Sequence, residues 1–154
     1  MTRIAFDTNI LAYAAGVVRI EADIPKVEAA RTLIERLARN ATLVAPTQAL
    51  GELFVVLRRS GARPAEARAV IAEYVDAFET PASDARAVLA AADLAVDHGL
   101  QFWDALICTA AADARCAMLL SEDMQHGFVT RGMTIVDPLR DEPHPKLAAV
   151  LAAE

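Results

Sequence analysis

A chain of 154 residues, 55% hydrophobic and 23% charged, is the size of one domain and can fill one packed core, which excludes disorder as its general state. No apolar run reaches the ~18–20 uncharged residues of a membrane-spanning helix. The balance of 15 basic against 21 acidic side chains, net −6, argues against a broad basic surface for nucleic acid and fits a protein that gathers carboxylates or meets a basic partner.

In chain order, Arg3–Phe6 reads as a buried strand stopped by Asp7-Thr8-Asn9, and Ile10–Ala15 as a short helix closed by Gly16. Pro25 opens a helix over Lys26–Arg39, with Val27, Ala30, Ile34 and Leu37 at helical spacing. Thr42–Ala45 is a second strand. Thr47 is the expected cap of a third helix reaching about Arg59. Pro64 starts a fourth helix with Val70, Ile71, Tyr74 and Phe78 as its stripe, and Phe78–Pro81 has the pattern of a short strand. Ser83 or Asp84 caps a fifth helix through Val96, ended by His98-Gly99; Phe102-Trp103-Asp104 begins a sixth. Ala117–Leu120 and Thr134–Val136 complete the strands, and a loose helix over Lys146–Ala153 is expected in the tail.

Strands separated by helices imply crossover connections and a parallel sheet covered on both faces. The expected organisation is one α/β domain over residues 1–140 and a C-terminal tail, 141–154. Asp7 interrupts the apolar stretch a secretory leader needs, and Cys108 and Cys116 form no CxxC pair. Free thiols in a reducing cytoplasm are the expectation.

Ligands of open parallel sheets bind where strands end. Asp7 follows the first strand and Asp123 the strand Ala117–Leu120. Asp104 starts a helix that runs back antiparallel to that strand, so it reaches the same rim. Glu52 sits in Leu50-Gly51-Glu52-Leu53-Phe54-Val55-Val56-Leu57, a segment too apolar to leave a carboxylate unexplained. Each acid has an ordinary alternative: helix capping for Asp7, the helix dipole for Asp104, a loop position for Asp123. Together they form a constellation that repels itself unless a cation intervenes. All-oxygen ligation suits Mg²⁺ or Mn²⁺ over zinc, and such a site activates water against a phosphodiester. Thr8 and Asn9 add neutral polar groups. Trp103 reads as a core aromatic beside this site, and Cys108 as packing. Arg58, Arg59, Arg63 and Arg131 read as solvated surface arginines.

Asp7-Thr8-Asn9-Ile10-Leu11, Glu52, Phe102-Trp103-Asp104-Ala105-Leu106-Ile107 and Ser121-Glu122-Asp123, in order from Arg3 to Pro138, resemble the PIN-domain family, and more narrowly its VapC-type toxins. The resemblance implies a three-layer α/β/α sandwich and a metal-dependent endoribonuclease that serves as the toxin of a type II toxin–antitoxin pair. Asp7, Glu52, Asp104 and Asp123 match the family's catalytic, metal-holding acids, with Thr8, Asn9 and Ser121 in support. Implied partners are Mg²⁺ (Mn²⁺ substituting), RNA, a small antitoxin and a second copy in a homodimer, with no membrane.

Two other readings compete. Phe6-Asp7-Thr8-Asn9 is superficially similar to the opening of haloacid-dehalogenase phosphatases, but Asn9 stands where a second Asp belongs and no lysine lies between Lys26 and Lys146. A non-cleaving PIN-like module that binds RNA or protein has no need to keep four mutually repelling acids.

Overall fold

The computed structural model describes residues 1–153. Its elements are β1 (Thr2–Phe6), α1 (Thr8–Ala14), α2 (Ile24–Asn40), β2 (Ala41–Val44), α3 (Thr47–Arg59), α4 (Pro64–Ala77), α5 (Ala85–His98), α6 (Phe102–Asp113), β3 (Met118–Leu120), β4 (Val129–Thr130), β5 (Met133–Val136) and α7 (Pro145–Ala152). A single 3-10 turn, Glu21–Asp23, precedes α2.

The sheet order is β2-β1-β3-β5-β4. β1 pairs in parallel with β2 and β3, and β3 with β5. Helices flank the sheet, so its inner strands are buried on both faces: Ile4, Ala5, Phe6, Met118, Leu119 and Leu120 are each at most 1% exposed. The expected three-layer α/β architecture is present.

The parallel expectation fails only at one edge, where β4 pairs antiparallel with β5. Arg131 and Gly132 join these strands with φ of 51° and 80°, the left-handed pair of a two-residue hairpin. Arginine is an uncommon residue for that conformation, which hid the hairpin from sequence reading. Three further expectations change. Phe78–Pro81 supplies only a single bridge, Val44 to Glu79. Thr47 is the first residue of α3 rather than its cap, and its backbone N–H goes to Pro81 O (3.1 Å). The terminal helix is anchored: Leu147 is 1% exposed, Lys146 Nζ donates to Thr134 Oγ1 (2.8 Å) and Arg36 Nη2 to Leu151 O (3.2 Å).

Candidate active site

β1 has β2 on one side and β3 on the other, so strand order reverses between β1 and β3. Crevices at such switch points take ligands in open α/β sheets. Phe6 pairs with Leu120, and the Asp7 backbone N–H donates to Leu120 O (2.9 Å). This register sets Asp7 beside Ser121 at the carboxyl edge.

Asp7 is only 3% exposed. Its Oδ1 accepts from the Thr8 backbone N–H (2.8 Å), so it does cap α1. Its Oδ2 accepts from Ser121 Oγ (2.7 Å) and Asn9 Nδ2 (3.2 Å). Burial pushes its carboxyl up to about 6; the hydrogen bonds from Ser121 and Thr8 work against that rise, and the charges of Asp104 and Glu52 add to it. Capping and a strained charge therefore coexist in one residue.

Glu52 reaches the crevice from the second turn of α3. Its Oε2 accepts from Thr8 Oγ1 (2.8 Å) and its Oε1 from Gln48 Nε2 (3.1 Å). Asp104 lies in the first turn of α6, where its backbone N–H is capped by Gln101 Oε1 (3.1 Å). Burial raises its carboxyl above the ordinary range, followed by the charges of Glu52 and Asp123. Asp123 is exposed, and its Oδ2 accepts from Asn9 Nδ2 (3.0 Å). Asn9 thus ties Asp7 to Asp123, while its Oδ1 accepts from the Glu122 backbone N–H (3.2 Å).

All four acids line one cavity of about 570 Å³, with Thr8, Asn9, Gln48 and Trp103. Thr8, Asn9 and Ser121 each donate a side-chain hydrogen bond to the acids, orienting them. Yet among the described residues no three His, Cys, Asp or Glu side chains stand close enough to form a ready metal cage. Neutral donors fix Asp7, Glu52 and Asp123 where they are, whereas the Asp104 carboxylate has none among the described residues. The donor set nonetheless suits a hard divalent cation. It is all oxygen, two of its members are pushed toward protonation by burial and by neighbouring carboxylates, and among the described residues none is ion-paired to a lysine or arginine.

Sequence reasoning missed the residues that hold this edge in shape. Lys26 Nζ pairs with Glu122 Oε2 (2.9 Å), and Tyr13 OH donates to Glu122 Oε1 (2.6 Å), pinning the residue between Ser121 and Asp123. Gln48 was findable, being one turn before Glu52. Trp103 is a correction: it is 48% exposed and lines the cavity, edge-on to Phe102 at 5.0 Å. Cys108 packs as expected, with its Sγ 3.6 Å from Met124 Sδ. Burial, with the charges of Asp7 and Asp104, lifts its thiol to about 12, far from a nucleophile's range.

A mostly parallel sheet with four acids lining the crevice at its switch point defines an α/β protein whose carboxylates gather at its strand ends. The model of the PIN domain matches residues 4–128, and the chain belongs to the PIN-domain family. Among solved structures, it is similar to VapBC2 from Rickettsia felis bound to a DNA fragment from their promoter. That likeness has 16% identity and a TM-score of 0.66, covering 87% of this chain and 97% of that one. It is also similar to Mycobacterium tuberculosis VapC20, a sarcin–ricin loop cleaving toxin, at 20% identity and a TM-score of 0.62, covering 78% of this chain and 91% of that one. At these identities the likeness is one of fold. Among curated proteins none matches. Among the described residues no helix is long and apolar enough to cross a membrane.

Proposed function

We propose that this protein is a Mg²⁺-dependent endoribonuclease, with Mn²⁺ able to substitute, and the toxin of a type II toxin–antitoxin pair acting in the cytoplasm. The observation that carries the reading is Asp7, a buried carboxyl held at about 6 in a cavity it shares with Glu52, Asp104 and Asp123. Family membership and the toxin identities of the two structural neighbours support it.

Asp7, Glu52, Asp104 and Asp123 would hold the cation. When bound, it supplies activation of a water and neutralisation of charge on the phosphodiester. The chain's own contribution is positional. Ser121 and the Thr8 N–H keep Asp7 in one rotamer, Thr8 Oγ1 and Gln48 keep Glu52 in another, and Asn9 fixes Asp123 relative to Asp7. Among the described residues the Asp104 carboxylate has no such tether, which leaves it free to adjust to cation and substrate.

The same acid-lined crevice suits a basic side chain from a small antitoxin, and the net −6 charge favours a basic partner. A homodimer is part of the proposal. Purified protein incubated with total cellular RNA, followed by sequencing of new ends, tests the reading. Cleavage should require Mg²⁺ or Mn²⁺, vanish in Asp7→Asn with the fold intact, and stop when the product of the neighbouring short reading frame is added. Unchanged cleavage in excess EDTA overturns the metal role. Intact RNA under every condition favours the binding-only module.

A further inference from the structure

The cavity that holds the four acids has a second, oppositely charged part. Arg19, in the connection between α1 and α2, and Arg59, at the end of α3, both line it. The same two arginines line the adjoining cleft of about 410 Å³, with Val18, Val56 and Ser60. Most arginines that sequence reading assigned to the surface are otherwise engaged. Arg58 Nη1 donates to Ala62 O (2.8 Å), Arg63 pairs with Glu66 (2.9 Å) and Arg131 with Asp113 (3.1 Å). Among the described residues, neither the Arg19 nor the Arg59 guanidinium is engaged by a carboxylate or a carbonyl.

Nor do they serve the acids. Arg59 stands seven residues beyond Glu52 on α3, about 10 Å along the helix axis. The charges acting on Asp7 and Asp104 come from other carboxylates. Two uncommitted guanidiniums, from separate elements of an acidic chain, thus face one concave surface next to an acid-lined site. The third feature of that surface is Trp103, whose exposed indole is the chain's one tryptophan.

Planar, weakly hydrated guanidinium is suited to phosphate oxygens, and an exposed indole to an unstacked base. We infer that Arg19, Arg59 and Trp103 form a substrate grip: the arginines hold phosphates flanking the scissile one, and Trp103 stacks against an unpaired base. The inference rests on the ribonuclease reading and assigns residues to its substrate. It also resolves an apparent conflict with overall charge. Two local arginines supply attraction for phosphate on a chain whose net charge is −6.

Because Trp103 is the lone tryptophan, its fluorescence reports the stacking directly. The probe is an eight-nucleotide single-stranded RNA of mixed sequence, end-labelled for anisotropy and titrated in Mg²⁺ into an Asp7→Asn background that leaves it uncut. Binding should quench Trp103. Arg19→Gln and Arg59→Gln should each weaken binding about five- to tenfold and lower the slope of log affinity against log salt by about 0.7. Trp103→Ala, followed by anisotropy alone, should weaken it at least about fivefold. Arg63→Gln and Arg131→Gln should change nothing. Unaltered affinity in the Arg19→Gln/Arg59→Gln double variant overturns the phosphate grip, as does an equal loss in the two controls. Anisotropy without quenching overturns the stacking role. No binding to Asp7→Asn, when the wild-type protein does cut RNA, overturns the grip as a whole, since all three residues are intact there. A wild-type protein that neither cuts nor binds RNA overturns the ribonuclease reading, and this inference with it.

Discussion

Replacing Asp7 with Asn keeps the size of the side chain and removes its charge from a position that is 3% exposed. With a carboxyl displaced from 3.8 to about 6, ionisation of Asp7 opposes folding by about 3 kcal/mol at neutral pH. Substitution sets one cost against this. Whichever way the new amide turns, its nitrogen replaces an oxygen that had accepted, either from the Thr8 N–H or from Ser121 Oγ and Asn9 Nδ2, at a loss of about 1 kcal/mol. The net expectation, with EDTA present, is a variant about 2 kcal/mol more stable than wild type at pH 7.5. For a domain of this size that corresponds to a rise in Tm of roughly 4–8 °C.

The pH dependence has a definite sign. A carboxyl raised in the folded state contributes full stability below its unfolded value near 4 and loses it as pH rises through about 6. The ionisation cost should therefore fall to about half at pH 5 and about a fifth at pH 4, where the lost hydrogen bond makes the variant equal or weaker. Asp104, also raised by burial, pushes wild type the same way. Thermal melts of both proteins across pH 4–7.5 test this, and saturating Mg²⁺ should raise the wild-type Tm much more than the variant's. A stability gap that is constant with pH, or a variant less stable than wild type at pH 7.5 in EDTA, refutes the claim that Asp7 is a strained charge.

Two further predictions concern the surroundings of the acids. Lys26→Met should destabilise the fold by about 1 kcal/mol, because the pair it makes with Glu122 is partly screened at 30% and 23% exposure. A double-mutant cycle with Glu122→Gln should return a coupling of similar size, and additivity would remove the clamp from the account. Gly51 is an exposed helix-interior glycine lining the cavity, and a Cβ there would meet nothing within 4 Å. Gly51→Ala should stabilise α3 by about 1 kcal/mol while raising KM for RNA, read by thermal melt and by steady-state cleavage; an unchanged KM denies the bare wall a role in substrate approach.

What the sequence discloses about this site depends on how far each signal travels along the chain. Asp7 and Asp123 were legible because one directly follows a strand and the other comes three residues after one, and a buried parallel strand announces itself as a continuous apolar run. Glu52 was legible because a carboxylate inside Leu50–Leu57 stands out there, although the helix is not buried throughout as that pattern suggested: Phe54 and Val55 are 36% and 43% exposed. The hairpin Val129–Thr134 was hidden by Arg131, a residue whose type says nothing of a left-handed backbone. The Lys26–Tyr13–Glu122 network and the meeting of Arg19 with Arg59 join residues far apart in sequence, and an arginine in a loop reads the same whether it faces bulk water or a crevice.

That asymmetry has a physical source in the site itself. Burying a charge is costly enough to leave a mark on the residues around it: the hydroxyls of Thr8 and Ser121 turned to the acids, the displaced carboxyl of Asp7. A solvated guanidinium costs nothing to place, so neither Arg19 nor Arg59 needs a compensating neighbour. The half of the site suited to a cation is therefore written into local sequence, whereas the half suited to a polyanion emerges only when the fold brings α3 and the α1–α2 connection to one cavity. Substitutions should divide along the same line. Changes at Asp7 or Glu52 alter stability and function together, while changes at Arg19 or Arg59 alter binding and leave the melt where it was.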